Sequence, residues 1–210
     1  TLSLMGIQQD EIEKLFLTHL HSDHIDGIDT VALQHWATGP SSEQLQVVGP
    51  VGTARVVAGL NEAYAIDQSY RAAHHGSDVM PPSGAGMHAT EFTVPLNDGE
   101  ELELYNQDGV RIVTFRVEHA PTDAIGYRVE YGGRSIAISG DTSRSASLTQ
   151  AAEGADLLVH EVISPQLDAI MHQAAQNSGR ENISAIFHDI MDYHTSPEDA
   201  GRVAQQALDP

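Results

Sequence analysis

"LFLTHLHSDHIDG", residues 15–27, sets an apolar run directly against three histidines and an aspartate within six positions: His19, His21, Asp23 and His24. The apolar part belongs to "EKLFLT" (13–18), a short hydrophobic run with polar flanks that reads as a buried strand ending at the histidine-rich loop. A chain leaving a strand into a tight loop can turn His19 and His21 toward one point. Asp23 and His24 then face a second point close by. Neutral imidazoles and a carboxylate, with no sulfur, suit zinc, manganese or iron rather than copper(I) or an iron–sulfur cluster. A lone histidine is more often structural, but this density at a strand end reads as a ligand string rather than a solvated loop.

Composition narrows the setting. The 210 residues and 40% hydrophobic content suit one compact domain, 1–210, with a core of its own. No run approaches the roughly 20 apolar residues of a membrane helix, and no segment resembles a signal peptide, so a soluble chain without a membrane partner is expected. Cysteine is absent, which excludes disulfides and thiolate ligands and leaves the compartment open. The formal charge of −20, from 30 acidic against 10 basic residues, lacks the Lys/Arg footprint that neutralises phosphates. On that ground a polyanionic substrate is disfavoured, though a local cationic site could still hold one phosphate.

Outward from the ligand string, "IDTVALQHWA" reads as a helix. "LQVVGP" (45–50) reads as a strand stopped by Gly-Pro, and the segment from "GTARVV" to "RAAHH" as a long helix. Residues 76–89, dense in Gly and Pro, read as a loop excursion. From 90 to 140 the strands "EFTVPL", "EELELY", "VRIVTFRVEH", "AIGYRVEY" and "RSIAISGD" follow, with "NDG", "QDG" and "YGG" as turns, which indicates antiparallel pairing. A helix, the strand "DLLVHEV" (156–162) and helices near 165–178, 182–191 and 197–207 complete the chain. Ser196 is the expected N-cap of the last helix and Pro197 its first residue. Two sheets packed face to face with helices outside is the layered solution for this order. His119 and Asp141 both close predicted strands and can converge on one sheet edge.

"HLHSDH" resembles the H-x-H-x-D-H signature of the metallo-β-lactamase fold hydrolases. "LFLTHLHSDHIDG", "HAPTDAIGYRV", "SIAISGDT", "DLLVHEV" and "HTSPEDAG", in this order, resemble the ribonuclease Z and arylsulfatase-like branch, over the chain from about residue 5 onward. The resemblance implies an α/β (α+β) fold, a four-layer αββα sandwich. His19, His21 and His119 would then form one metal site, and Asp23 and His24 a second, with Asp141 bridging both. Zn2+ is the expected cofactor, two per complete site, with Mn2+ or Fe2+ as substitutes. Two such ions about 3.5–4 Å apart lower the pKa of a shared water until hydroxide exists near neutrality, and that hydroxide is the expected nucleophile. Asp23 would accept its proton. His194 would stabilise developing charge or protonate the leaving oxygen, and Glu161 would orient His194. His35, His74, His75, His88, His160, His172 and His188 are read as structural.

The branch carries further strands before "LMGIQQDEIEKL" and, after "AGRVAQQALDP", one more strand whose histidine completes the second metal site. The fold is therefore expected without its first strands and its last strand. The missing ligand is expected beyond Pro210 or from another chain. Open sheet edges favour association, so a homo-oligomer, a dimer, is expected. The activity that follows is dinuclear zinc hydrolysis of phosphodiester or sulfate-ester bonds in small-molecule ester substrates, tRNA being disfavoured by the −20 charge. Lactone or β-lactam hydrolysis on the same metals is one alternative, and a metal-binding domain without turnover is another.

Overall fold

The computed structural model describes residues 2–39 and 41–208; Pro210, past which the further strand is expected, lies outside them. The chain falls into two compact units, Thr1–Thr93 and Val94–Pro210, each holding one sheet with flanking helices.

In the first unit β1 (Lys14–Phe16), β2 (Leu45–Pro50) and β3 (Met87–Phe92) form a parallel sheet in that order. Parallel neighbours need crossovers. The first contains α1 (Ser22–Ile25) and α2 (Ile28–Thr38), the second α3 (Thr53–His75). The central strand β2 is apolar almost throughout and nearly all buried, as a strand covered on both faces must be. Leu17, Ile28, Ala32, Leu45, Val47, Val57 and Met87 pack together as the core. The start of α3 has no side-chain cap of its own. Glu91 of β3 supplies one, its Oε1 accepting from Gly52 N at 2.7 Å and Ala54 N at 2.8 Å, which sets a negative charge at the positive helix end.

The Gly/Pro-rich loop ends earlier than its composition implies, because Met87, His88 and Ala89 pair with Leu45, Gln46 and Val47 in β3. Pairing against β2 extends the backbone there, so the strand read from "EFTVPL" begins four residues sooner than 91, ends at Phe92 and lies parallel to β2 instead of joining the antiparallel run expected over 90–140. The loop itself is pinned where the buried Trp36 donates from Nε1 to the Pro81 carbonyl at 2.8 Å.

In the second unit β4 (Glu101–Gln107), β5 (Val110–Arg116), β6 (Ile125–Tyr131) and β7 (Arg134–Ile138) form the antiparallel meander expected from the sequence. Two of its turns follow the predicted chemistry, Asp108–Gly109 and Gly132–Gly133, all four at positive φ. α4 (Ala146–Ala152) leads to β8 (Leu157–Val159), which pairs parallel to β7. α5 (Pro165–Asn177), α6 (Glu181–Asp189) and α7 (Pro197–Leu208) follow. Ser145, Ser164 and Ser196 each accept an amide in the first turn of α4, α5 and α7, the last as predicted. Phe115, Val117, Ala124, Leu148, Ala151 and Val203 form the main core.

This topology decides where the chemistry sits. β5, β7 and β8 run in one direction, so the loops that follow them leave the sheet at the same edge. His119, Asp141 and Glu161 stand on those three loops, just past Arg116, Ile138 and Val159.

Candidate metal centre

In the first unit the chain leaves β1 and delivers His19, then turns into α1, whose N-cap position is His21 and whose body holds Asp23 and His24. His19 is fully buried. Its Nδ1 lies 3.2 Å from the Thr18 hydroxyl, and its Nε2 lies 3.0 Å from His21 Nδ1. Two nitrogens bound to one tetrahedral zinc at about 2.05 Å stand about 3.3 Å apart, so this pair is spaced as two ligands of a single ion. The His19 and His24 rings are 4.1 Å apart between centroids. The loop thus gathers two further imidazoles, those of His21 and His24, around His19. The Asp23 side chain is 78% exposed, with Oδ2 3.6 Å from His24 Nε2. Donor type and spacing fit a divalent ion of the zinc class.

In the second unit His119, nearly buried, is held through Nδ1, which lies 2.9 Å from the Tyr193 carbonyl. A carbonyl only accepts, so Nδ1 carries the proton and Nε2 is left as a neutral lone-pair donor, the form a metal binds. The Asp141 loop is joined to the His119 loop by the Glu118–Ser143 bridge, with Ser143 N donating to Glu118 O at 2.7 Å. The expected partnership of His194 and Glu161 is present: His194 Nδ1 lies 3.0 Å from Glu161 Oε1. The same oxygen accepts from Thr142 N at 3.2 Å and Thr195 N at 3.1 Å. Glu161's own amide donates to Ser139 Oγ at 2.9 Å. His194 stands against His119 at 5.3 Å between ring centroids, and Tyr193 packs on both. Burial, and then the charges of Asp189 and Asp192, raise the Tyr193 phenol above its ordinary pKa, so it is neutral at physiological pH.

Thr142, Thr195, Ser139 and the Tyr193 carbonyl were not anticipated from the sequence. Each threonine directly follows a residue already singled out, Asp141 or His194, and that adjacency is the one available signal. Among the histidines read as structural, His35 is buried on α2 with Nε2 3.1 Å from the Glu43 carbonyl, and His74 and His75 close α3. His172 and His188 face each other across α5 and α6, with ring centroids 5.9 Å apart.

The beta-lactamase superfamily domain matches residues 5–208. A putative ribonuclease Z of Mycobacterium tuberculosis is 36% identical over 196 residues, covering 92% of this chain and 78% of that protein. The chain belongs to the metallo-β-lactamase superfamily, in its ribonuclease Z branch. Ribonuclease Z of Mycolicibacterium paratuberculosis is 34% identical over 205 residues, 96% of this chain and 66% of the relative, so the chain spans just under two thirds of that protein's length. Among solved structures, human tRNase Z, short form, shares the α/β metallo-β-lactamase-like fold at a TM-score of 0.60 and 22% identity, covering 98% of this chain and 73% of the other.

Membership of the ribonuclease Z branch corrects one expectation. The −20 charge disfavours tRNA on a whole-chain count, yet relatives of this branch are named for RNA substrates. Net charge sums over the whole chain, whereas exposed charges are screened within about 8–10 Å at ordinary ionic strength, so phosphate contacts are decided locally. No helix among the described residues is long and apolar enough to cross a membrane.

Proposed function

We propose that the chain carries the metal centre of a ribonuclease Z-like phosphodiesterase, with zinc the leading candidate metal. In this reading His19, His21 and His119 would hold one ion, and Asp23, His24 and Asp141 the second. Within the units, the His19–His21 nitrogens spaced as two ligands of one ion, the His19–His24 ring contact and the Nδ1-held His119 support it; Asp23 enters through the motif. Bound there, divalent ions would supply Lewis acidity toward the phosphoryl oxygens and acidify a water toward neutrality.

The observation that carries the reading is the His194–Glu161 pair, 3.0 Å apart and beside His119. Glu161 holds a proton of His194 on Nδ1 and fixes the ring's orientation, so that Nε2, when it carries a proton, can donate to a leaving oxygen. An alkoxide leaving from phosphorus needs such a donor. Asp23, exposed at the loop, is free to take a proton from the attacking water. A tetrahedral anionic phosphorus suits two cations better than a neutral lactone does, and the names of the relatives return RNA to the substrates considered.

Metal-loaded protein assayed on bis(p-nitrophenyl) phosphate, an aryl sulfate, a lactone and a tRNA precursor decides the matter. Phosphodiester turnover should lead and should disappear in His21→Ala. Faster turnover of the sulfate or the lactone, or full activity in His21→Ala, overturns the proposal.

A further inference from the structure

Thr142 and Thr195 are both buried, at 0% and 1% exposure, and the reading above gives neither a task. Their bonds knit the second unit's loops together. The Thr195 amide and the Thr142 amide share Glu161 Oε1 with His194 Nδ1. The Thr195 hydroxyl donates to the Thr142 carbonyl. Thr142 Oγ1 accepts the Glu118 amide at 2.9 Å and donates to the Ser143 carbonyl at 2.6 Å. One residue before His194, the Tyr193 carbonyl accepts the His119 proton. Three consecutive residues, 193 to 195, therefore touch His119, Glu161 and the Asp141 loop in turn.

We propose that Thr195 is a positioning residue that couples the proton donor His194 to the ligands His119 and Asp141 through its hydroxyl. The proposal rests on the ligand and donor roles assigned above. Removing the hydroxyl while keeping the shape leaves a buried Thr142 carbonyl without that donor, a state the loops relieve by moving apart. Such a movement shifts His194 from its place beside His119 and draws the Tyr193 carbonyl away from the His119 ring. One substitution thus reaches both the acid and a metal ligand without touching either.

Thr195→Val, Thr195→Ser and His194→Ala, each compared with the unmodified chain, test this. Thr195→Val should lower kcat on a dinucleotide phosphodiester, whose alkoxide leaving group needs the proton donor, about 10–100-fold, with KM little changed. Metal affinity, read by competition with a chromophoric chelator, should fall about tenfold. In metal-free protein, imidazole 15N shifts should show His119 losing its uniform Nδ1–H form. Thr195→Ser, which keeps the hydroxyl, should restore all three. A kcat per folded molecule unchanged in Thr195→Val, or a serine variant as impaired as the valine one, overturns the proposal. Should the valine variant fail to fold, Thr195→Ala is read by the same criteria. His194→Ala separates the layers: if it leaves kcat intact the functional reading itself fails, whereas its loss beside an unaffected Thr195→Val removes this proposal alone.

Discussion

The two units prepare metal-binding chemistry in opposite ways. In the first, His19, His21, Asp23 and His24 come from one loop, positioned by the end of β1 and a single helical turn. In the second, His119, Asp141, Glu161 and His194 come from four loops, brought to one sheet edge by three co-directional strands and held there by bonds converging on one carboxylate oxygen. A local cluster needs only local backbone geometry. A dispersed one needs the whole sheet and a buried network, and its precision is only as good as that network.

The strongest test of this contrast sets His19→Ala against Glu161→Gln. His19 is the buried centre of the histidine cluster on its loop, against both His21 and His24, so its loss should take metal content, measured by elemental analysis, below one ion per chain and abolish turnover. Glu161→Gln keeps an acceptor oxygen but loses the charge, and should retain metal while kcat falls about 10–100-fold. Equal metal loss in the two variants would erase the distinction between local ligands and dispersed support.

A smaller effect separates the units' glycines. Gly126 of β6 sits across from Phe115, and an added Cβ would meet the Phe115 ring and stand 2.8 Å from the Ile138 carbonyl. Gly126→Ala should cost about 1–3 kcal/mol in denaturant unfolding, as overpacking does. Gly59, inside α3 with open space around its Cβ position, should gain about 0.5–1 kcal/mol as alanine. Opposite signs would show that close packing fixes Gly126 whereas Gly59 only adds chain entropy; matching signs would not.

The smallest expected effect is acid sensitivity at the edge of the second sheet. Asp156 has its pKa lowered, first by the Arg134 side chain and then by the Ser135 amide. A depressed carboxylate contributes stability that is present above its unfolded pKa and is lost as pH falls through the folded one. Asp156→Asn should therefore flatten the acid limb of a stability–pH profile slightly and leave neutral pH nearly unchanged.

Much of this was legible beforehand. Three of the site's histidines and one aspartate were visible in "HLHSDH" because local ligands leave a local pattern. The meander was visible because alternating strands and the "QDG" and "YGG" turns specify antiparallel pairing without reference to distant residues. His119, Asp141, Glu161 and His194 became visible as candidates through motif resemblance, since they stand far apart in the chain. Thr142 and Thr195 were passed over because threonine is common and they act largely through main-chain groups. The Tyr193 carbonyl could not have been found, because every residue has one.

By itself, then, the sequence determined the element order, the donor chemistry and the branch of the superfamily, since these depend on residue type and short-range spacing. Tertiary structure alone decided that β5, β7 and β8 share a direction, that Glu161 Oε1 gathers three donors, and which nitrogen of His119 meets the Tyr193 carbonyl. Hydrogen bonds between distant loops depend on where the sheet places their backbones, and no stretch of sequence encodes that placement locally.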